Sequence, residues 1–304
     1  MNILFYGNCQ TSRLANSNTF ANMKRNCVLC YVTDMTQDQF TKLIKAADII
    51  ITQPIKPGYR GKSYLDTEFI LKTKRKDSHL ILIPSIFCGV YFPDQVYIKT
   101  IHGELVTTPC DYQYLNLIKY HINNKDIHSF QDEVVNNPDY IETRELLDHI
   151  SGTIQLLKDR EDIAVSDYPE AIPITISQYI KNNWRDKLLF YSINHPTNYI
   201  YNYILSQLVE LELVDNYKPF YEGDGIINIQ VTDTRSLMYS SVKQQLNFDI
   251  KNYQPCLHTN KVIGNVNIIK SYYQVYTEQK IQFETFPNHL DSFTFRNLDI
   301  ENNC

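Results

Sequence analysis

The chain has 304 residues, which is long enough to bury a full core in one large α/β domain or in two modest domains. Its hydrophobic fraction of 43% and charged fraction of 21% are ordinary for globular proteins and exclude disordered, collagen-like and fibrous classes. The net charge of -5 provides no overall attraction to nucleic acid or to an anionic membrane, so any anionic ligand must be met by local cations.

The predicted elements begin with a regular alternation of strands and helices in the first ninety residues. Strands are predicted at Asn2–Tyr6, Cys27–Val32, Asp48–Thr52 and His79–Pro84, and helices at Thr11–Lys24, Asp38–Ala47 and Asp66–Lys76. Such an alternation forms βαβ units around a parallel sheet. Ligands of these sheets bind beyond the carboxyl ends of the strands, which is where we expect the site.

The rest of the chain is less regular. Residues 110–184 are mostly polar and helical, most clearly at Tyr140–Asp159, and predict a helical insertion. Leu188–Ile193 is predicted as a returning strand and Asn198–Leu213 as a helix. Residues 215–304 show no clear period, so we predict a C-terminal elaboration there without assigning its packing.

Cysteine usage and hydropathy indicate the compartment. The amino terminus has no basic region, and no stretch approaches the roughly 18 apolar residues that cross a bilayer. The seven cysteines are odd in number and scattered, which suits reduced thiols. We expect one cytoplasmic domain over residues 1–304, without stable membrane insertion and without a nucleic-acid partner.

The turn Gly7-Asn8-Cys9-Gln10 follows the first strand and opens the first predicted helix. Unpaired N–H groups and the helix dipole at a helix N-terminus favour a thiolate. The alternative is a small buried side chain at a strand end, the usual role of a cysteine. A tight polar turn is a poor place for an inert thiol. Cys9 is therefore predicted as the nucleophile or central catalytic group, with Asn8 and Gln10 as hydrogen-bond donors beside it.

A second polar turn, with Asn194, His195 and Pro196, closes the returning strand. A thiol nucleophile needs a nearby base, and a histidine on a loop after a strand can supply one. Taken alone, His195 is more often a capping or packing residue. Its expected place at the same edge of the sheet as Cys9 favours the catalytic role.

Two further loops follow predicted strands. Gln53 can donate to a developing oxyanion, and Lys56 and Arg60 can hold a phosphate or a carboxylate; a solvated loop with surface cations is the alternative. Residues 84–93 offer the backbone of Gly89 and several aromatic side chains. They suit an oxyanion donor, a sugar-stacking wall or merely a hydrophobic loop.

Metal and nucleotide motifs have little support. Cys27 and Cys30 form a lone C-x-x-C inside a predicted strand, so we predict neither a zinc site nor a redox site. The chain contains no Walker loop, no G-x-G-x-x-G and no H-E-x-x-H. We expect no metal, and nucleotide hydrolysis, dinucleotide chemistry and metalloproteolysis lose their usual sequence support.

The turns together resemble those of SGNH or GDSL hydrolases, in which serine normally occupies the first turn. The closer resemblance is to the WcbI-type polysaccharide biosynthesis acetyltransferases, an SGNH-like family whose turn reads G-N-C-Q. Within about residues 1–210, the matching positions are Gly7-Asn8-Cys9-Gln10, Gln53-Pro54-Ile55, Tyr59-Arg60-Gly61, Asn194-His195-Pro196 and, as a further family element, Lys158-Asp159-Arg160-Glu161.

The resemblance implies a three-layer α/β/α, flavodoxin-like (SGNH hydrolase-like) fold and O-acetylation of a capsular or surface polysaccharide sugar by acetyl-CoA. It implies Cys9 and His195 as the catalytic pair, and we expect Gln53 to aid them. We expect coenzyme A contacts from Asn8, Gln10, Arg13, Lys56, Tyr59 and Arg60, and oxyanion or substrate contacts from Gly7, Gly89 and Asn194. SGNH enzymes place an acid three residues before the histidine, whereas this chain has Ser192, so the orienting partner of the histidine is left open.

Two other classes of function stay open beside the acyltransferase. A glycan O-acetyl esterase or thioesterase of the SGNH type uses the same site whenever water replaces the sugar hydroxyl. A non-catalytic glycan- or nucleotide-binding module makes Cys9 merely structural. The leading interpretation is the coenzyme A-dependent acyltransferase, with coenzyme A and a carbohydrate acceptor as its partners.

Overall fold

A computed structural model describes residues 1–32, 34–98, 105–214, 217–220, 234–250, 253–257 and 262–278 of the protein. Its strands are β1 (Asn2–Gly7), β2 (Lys24–Leu29), β3 (Ile49–Thr52), β4 (His79–Leu82), β5 (Gln95–Val96), β6 (Gln113–Tyr114), β7 (Ile172–Pro173), β8 (Phe190–Ser192), β9 (His195–Pro196), β10 (Cys256–Leu257) and β11 (Val262–Ile263). Its α-helices are α1 (Cys9–Ala15), α2 (Gln37–Ala46), α3 (Thr67–Thr73), α4 (Leu115–Ile122), α5 (Ile127–Phe130), α6 (Thr143–Asp167), α7 (Ser177–Asn183), α8 (Asn198–Glu210), α9 (Ser240–Lys243) and α10 (Asn265–Glu278).

The centre of the fold is a parallel sheet with strand order β2-β1-β3-β4-β7. All four residues of β3 are buried, as its continuous apolar run predicts. Neighbouring side chains along a strand point to opposite faces, so Phe5 and Tyr6 lie in two different apolar clusters. Leu14 of α1 joins the first cluster and Phe40 of α2 joins the second. Helices therefore cover both faces, and the predicted α/β class with a parallel sheet is confirmed.

The predicted helix over Thr11–Lys24 is wrong in length. Helix α1 ends at Ala15, and a short 3₁₀ turn follows at Asn18–Phe20, with the Ser17 side chain capping it. Short polar side chains hydrogen-bond nearby backbone and so favour caps and turns over helix interiors. The early end of the helix lets the Phe20 ring pack edge-on against Phe5, with centroids 5.1 Å apart, and β2 then begins before its predicted start.

The edge of the sheet also differs from the prediction. Strand β7 lies inside the predicted helical insertion and pairs with β4. β7 has only two residues, which is too short for a periodic pattern in the sequence. Its second residue, Pro173, also lacks the N–H that interior strands need. The predicted strand over Leu188–Ile193 forms β8, but β8 pairs antiparallel with β9 and is not part of the central sheet.

The long helix α6 and the described C-terminal segments complete the packing. Helix α6 has 25 residues and extends beyond the predicted Tyr140–Asp159 stretch. Tyr272 and Tyr276 of α10 are buried in the apolar cluster that contains Phe5. The other parts of the predicted elaboration lie largely outside the described residues. In the part of the chain that the structure describes, no helix is long and apolar enough to cross a membrane.

Candidate functional site

The loop after β1 places Cys9 at the start of α1. Asn8 is the N-cap of this helix, and its side-chain oxygen accepts the backbone N–H of Gln10 at 2.8 Å. The Asn8 carbonyl oxygen accepts the N–H of Thr11 at 3.1 Å, which closes the first turn. Cys9 is the first helical residue and is exposed. The thiol therefore lies at the surface, at the carboxyl edge of the sheet, on a turn whose backbone is held in place.

Behind Cys9, the side chain of Gln10 joins neighbouring loops of this edge. Its amide nitrogen donates to the carbonyl oxygens of Ile86 and Asn194, each at 2.8 Å. Its amide oxygen accepts the N–H of Ile86 at 3.0 Å. Because Ile86 follows β4 and Asn194 precedes His195, one buried amide holds the loop after β4 and the histidine turn beside Cys9.

Gln53 connects the loop after β3 to the same network. Its side-chain oxygen accepts the N–H of Asn8 at 2.9 Å, and its amide nitrogen donates to the Gln10 side-chain oxygen at 3.0 Å. Gln53 is 2% exposed and Gln10 is 4% exposed. Both side chains thus support the Cys9 turn from inside the protein. The oxyanion contact of Gln53 and the coenzyme A contacts of Asn8 and Gln10 stay predictions.

Because Gly7 has no side chain, the side chains of Gln53 and Thr11 can pack directly against its backbone. A methyl group added there would lie 2.8 Å from the side-chain oxygen of Gln53 and 2.9 Å from the side chain of Thr11. We expect Gly7→Ala to lower the free energy of unfolding by about 2 kcal/mol, because Gln53 must move and leave the Asn8 N–H without its acceptor. Denaturant unfolding measures the change.

The matched control for that prediction is Gly152→Ala in α6. Apart from the chain neighbours of Gly152 and the backbone of its own helix, no atom lies within 4 Å of the added methyl group, so the substitution should be neutral or stabilise the helix by up to about 1 kcal/mol. An equal loss of stability in both variants would contradict the specific role of Gly7.

His195 is oriented by hydroxyl and amide groups. Its Nδ1 atom lies 2.6 Å from the Ser192 hydroxyl and 3.2 Å from the Tyr112 hydroxyl. Both hydroxyls also reach the side-chain oxygen of Asn194, Ser192 at 3.3 Å and Tyr112 through a short hydrogen bond. Ser192 is fully buried. The residue at the position of the expected acid therefore does contact the histidine, but through a neutral oxygen.

Tyr112 lies near both members of the predicted catalytic pair. Its ring meets the His195 ring edge-on, with centroids 5.6 Å apart. Burial raises the pKa of the Tyr112 hydroxyl well above its usual value, and the neighbouring Tyr97 and Cys9 raise it further. The loop after β1 and the histidine turn therefore converge on this tyrosine.

Asp111 brings a carboxyl group to the same region. Burial raises the pKa of this carboxyl, while His195 lowers it by electrostatic attraction. Asp111 and Tyr112 are not among the site residues predicted from the sequence. Both lie in the predicted helical insertion, and in a chain with 23 tyrosines no local signal distinguishes Tyr112.

The loop after β3 carries the predicted cations. Lys56 and Arg60 are exposed, whereas Tyr59 is half-buried with its hydroxyl 3.8 Å from the Cys30 sulfur. Arg60 has a φ of 53°, in the left-handed region that residues other than glycine seldom adopt. The loop begins at Gln53, so the structure places positive charge at the same sheet edge as Cys9. Binding of coenzyme A there stays a prediction.

Arg13 and Gly89 are held by other elements. Arg13 donates to the side-chain oxygen of Asn198 at 3.2 Å, and its guanidinium lies 5.2 Å from the centre of the Phe220 ring. The N–H of Gly89 donates to the Thr153 hydroxyl at 2.9 Å. These contacts tie Arg13 to α8 and the Gly89 N–H to α6. The coenzyme A role of Arg13 and the oxyanion role of Gly89 stay predictions.

The Lys158–Glu161 segment, on α6, supports the site from one side. Arg160 donates to the Ser85 carbonyl oxygen at 3.2 Å and lies 5.9 Å from the centre of the Phe87 ring. Glu161 is buried and accepts the first N–H groups of α7. This segment therefore holds the loop after β4 and an adjacent helix in place.

The C-x-x-C cysteines lie in and just after β2, with Cys27 exposed and Cys30 buried. Among the described residues, no group of three or more histidine, cysteine, aspartate or glutamate side chains is arranged to hold a metal ion. The groups described around Cys9 and His195 are a thiol, an imidazole, hydroxyls, amides and the carboxyl group of Asp111.

Comparisons with known proteins point to one family. A family model described as the polysaccharide biosynthesis enzyme WcbI matches residues 2–213. Among solved structures, the chain is similar to WcbI, described as a novel polysaccharide biosynthesis enzyme, in native form without a disulfide bond between coenzyme A and a cysteine of that protein. The two are 21% identical with a TM-score of 0.66, over 94% of this chain and 90% of that chain, and share a fold. No curated protein matches the chain.

Proposed function

Because the chain belongs to the WcbI family of polysaccharide biosynthesis enzymes, we propose that it is a coenzyme A-dependent acyltransferase that O-acetylates a sugar of a capsular or surface polysaccharide. The observation that carries the proposal is that a hydrogen bond from the residue after the exposed thiol holds the turn of the positioned histidine. Cys9 begins α1, and the adjacent Gln10 donates to the carbonyl oxygen next to His195. A thiol nucleophile and a base held in one rigid frame are what acyl transfer needs.

In the first half-reaction, His195 takes the proton of the Cys9 thiol, and the sulfur attacks the acetyl carbonyl of acetyl-CoA. The tetrahedral intermediate collapses by breaking the bond to the sulfur of coenzyme A. The imidazolium returns its proton to that sulfur, so the products are acetyl-Cys9 and free coenzyme A. Dividing the transfer in this way replaces one difficult step by two easier ones.

In the second half-reaction, the sugar hydroxyl attacks the acetyl group on Cys9 while His195 takes the hydroxyl proton. The Cys9 sulfur leaves and regains a proton from His195, which restores the starting state. The Asn8 and Gln10 N–H groups of the Cys9 turn already donate to the side chains of Gln53 and Asn8, so we assign to this turn the positioning of the sulfur in both steps. Water in place of the sugar would give hydrolysis by the same steps.

We assign the phosphates of coenzyme A to Lys56 and Arg60. These exposed cations supply the local positive charge that a chain of net charge -5 lacks overall. Coenzyme A as co-substrate is further supported by the solved WcbI structure, whose description names coenzyme A and a cysteine. We place the reaction in the cytoplasm, where acetyl-CoA is supplied.

Calorimetry of coenzyme A and acetyl-CoA with the purified protein tests the co-substrate. We expect binding that weakens about tenfold in the Lys56→Ala/Arg60→Ala variant, because the loss of two phosphate contacts costs on the order of 1.4 kcal/mol or more. Lys72→Ala is the control, since this exposed cation pairs with Glu68 on α3. Equal weakening in the control, or no binding at millimolar ligand, would contradict the assignment.

Turnover of acetyl-CoA with and without polysaccharide acceptors tests the reaction. We expect release of coenzyme A that depends on the acceptor, together with a stable acetylated glycan. Release at the same rate without acceptor would identify a thioesterase and reject the transferase.

A further inference from the structure

One ring nitrogen of neutral His195 carries a hydrogen, and the other can act as a base. The hydroxyl groups beside Nδ1 determine which is which. Nδ1 faces two hydroxyl oxygens, those of Ser192 at 2.6 Å and Tyr112 at 3.2 Å. A hydroxyl has one hydrogen to donate, and its lone pairs accept elsewhere. If both hydroxyl hydrogens are directed away from the ring, Nδ1 must carry the hydrogen that satisfies them.

Asn194 provides the acceptor for both hydroxyl hydrogens. Its side-chain oxygen receives a short hydrogen bond from Tyr112 and lies 3.3 Å from the Ser192 hydroxyl. Its amide nitrogen donates to the Tyr97 hydroxyl at 2.8 Å, so the amide is oriented with its oxygen toward the other two groups. Asn194, Ser192 and Tyr112 are all buried, which excludes water as a ready substitute.

We propose that Ser192, Tyr112 and Asn194 form a neutral clamp that holds His195 in the tautomer with its hydrogen on Nδ1. Both hydroxyl oxygens then present lone pairs to the Nδ1–H group. In the opposite tautomer, the lone pair of Nδ1 would face the lone pairs of the Tyr112 oxygen at 3.2 Å, even if Ser192 turned its hydrogen toward the ring. The clamp leaves the lone pair on Nε2.

The clamp contacts Nδ1 of the histidine, as the acid does in SGNH enzymes. An aspartate there orients the imidazole and also stabilises the imidazolium that forms. The hydroxyls of the clamp orient the imidazole without themselves carrying a negative charge. Asp111 is a charged group that interacts with His195 electrostatically. Asn194, predicted to contact oxyanion or substrate, becomes a positioning residue.

The use of Nε2 as the base for Cys9 and for the sugar hydroxyl rests on the proposed function. The tautomer itself does not, because it follows from hydrogen bonds within the protein. Its test is therefore spectroscopic and requires no substrate.

The protein is labelled with ¹⁵N at histidine and studied above about pH 8, where an ordinary imidazole is neutral. Comparison with His195→Gln identifies the His195 signals among those of eight histidines. Long-range ¹H–¹⁵N spectra should show a protonated, pyrrole-type Nδ1 and a pyridine-type Nε2. A pyrrole-type Nε2 overturns the proposal, whether or not the protein transfers acyl groups.

Variants of the clamp separate positioning from general stability. In Ser192→Ala/Tyr112→Phe we expect the single-tautomer signature to be lost, and kcat of acetyl transfer to fall about 10- to 100-fold with little change in KM. Ser192→Thr keeps a hydroxyl and should retain both properties. Asp111→Asn is the control for the nearby charge and should keep the hydrogen on Nδ1.

An unchanged signature in the double variant, or its loss in Asp111→Asn, overturns the clamp. If the tautomer is as expected and the double variant loses it, but the unaltered protein transfers no acyl group, the clamp stands and the proposed function alone is rejected.

Discussion

Cys9→Ala is expected to reduce acetyl transfer from acetyl-CoA by at least about 10³-fold while the protein stays folded. In the proposed mechanism the sulfur becomes acetylated, and alanine offers no substitute nucleophile. The fold does not depend on it, because Cys9 is exposed and Asn8 caps α1 with its own side chain. Steady-state kcat/KM with a polysaccharide acceptor measures the loss, and thermal unfolding verifies the fold.

Cys27→Ala is the matched control for this result, since Cys27 is also an exposed cysteine but lies on β2. Its activity should stay within about twofold of that of the unaltered protein. Cys9→Ala with activity within about tenfold of normal would reject Cys9 as the nucleophile.

The covalent route has its own readout. Acid quenching in the first turnover, followed by mass spectrometry, should detect an acetyl group on the peptide that contains Cys9, and none in Cys9→Ala. If Cys9 is essential but the unaltered protein never becomes acetylated, Cys9 positions a direct transfer from acetyl-CoA to the sugar. That outcome would leave the acyltransferase in place and remove acetyl-Cys9 from its mechanism.

Gln10→Leu is expected to lower the free energy of unfolding by about 4 kcal/mol and to reduce activity as well. The substitution leaves the N–H of Ile86, the carbonyl oxygens of Ile86 and Asn194, and the amide nitrogen of Gln53 without their partner. Buried polar groups that lose a hydrogen bond cost about 1–3 kcal/mol each, and partial relaxation reduces the sum. Urea unfolding measures the loss.

Two further variants make the Gln10 prediction specific. Gln155→Leu alters an exposed glutamine of α6 whose partner Asp159 is also exposed, and should change stability by less than about 0.5 kcal/mol. Gln10→Glu keeps the shape but removes both donated hydrogen bonds and places a carboxylate in the core. It should destabilise about as much as leucine. Stability within about 1 kcal/mol of normal in both Gln10 variants would contradict the network.

The strands that carry the site could be predicted because buried parallel strands are short, continuous apolar runs. β1, β3 and β4 have this pattern and were found close to their predicted bounds. β7 could not be predicted, because a two-residue edge strand ending in proline has no period to detect. The end of α1 was also missed, since an apolar spacing alone does not reveal where polar caps interrupt a helix.

For the candidate site, the positions at the edge of the sheet could be predicted from the sequence. Cys9, Gln53 and the residues around Gly89 each follow a strand, and the topology of a parallel sheet brings such positions to one edge. Their hydrogen-bond partners were not predictable. Gln10 gave no local sign that it would bond Ile86 and Asn194, far away along the chain, because those contacts exist only after the loops pack together.

The sequence by itself therefore determined the α/β class, the turn that holds Cys9 and the absence of an acid at Ser192, since these depend on local pattern and on residue identity. The tertiary structure decided which groups surround His195. Tyr112 reaches it from a segment 83 residues away, and Ser192, three residues before it, contacts its Nδ1. The physical reason is that orientation of an imidazole depends on donors and acceptors within about 3 Å, and chain folding alone brings distant hydroxyls to that distance.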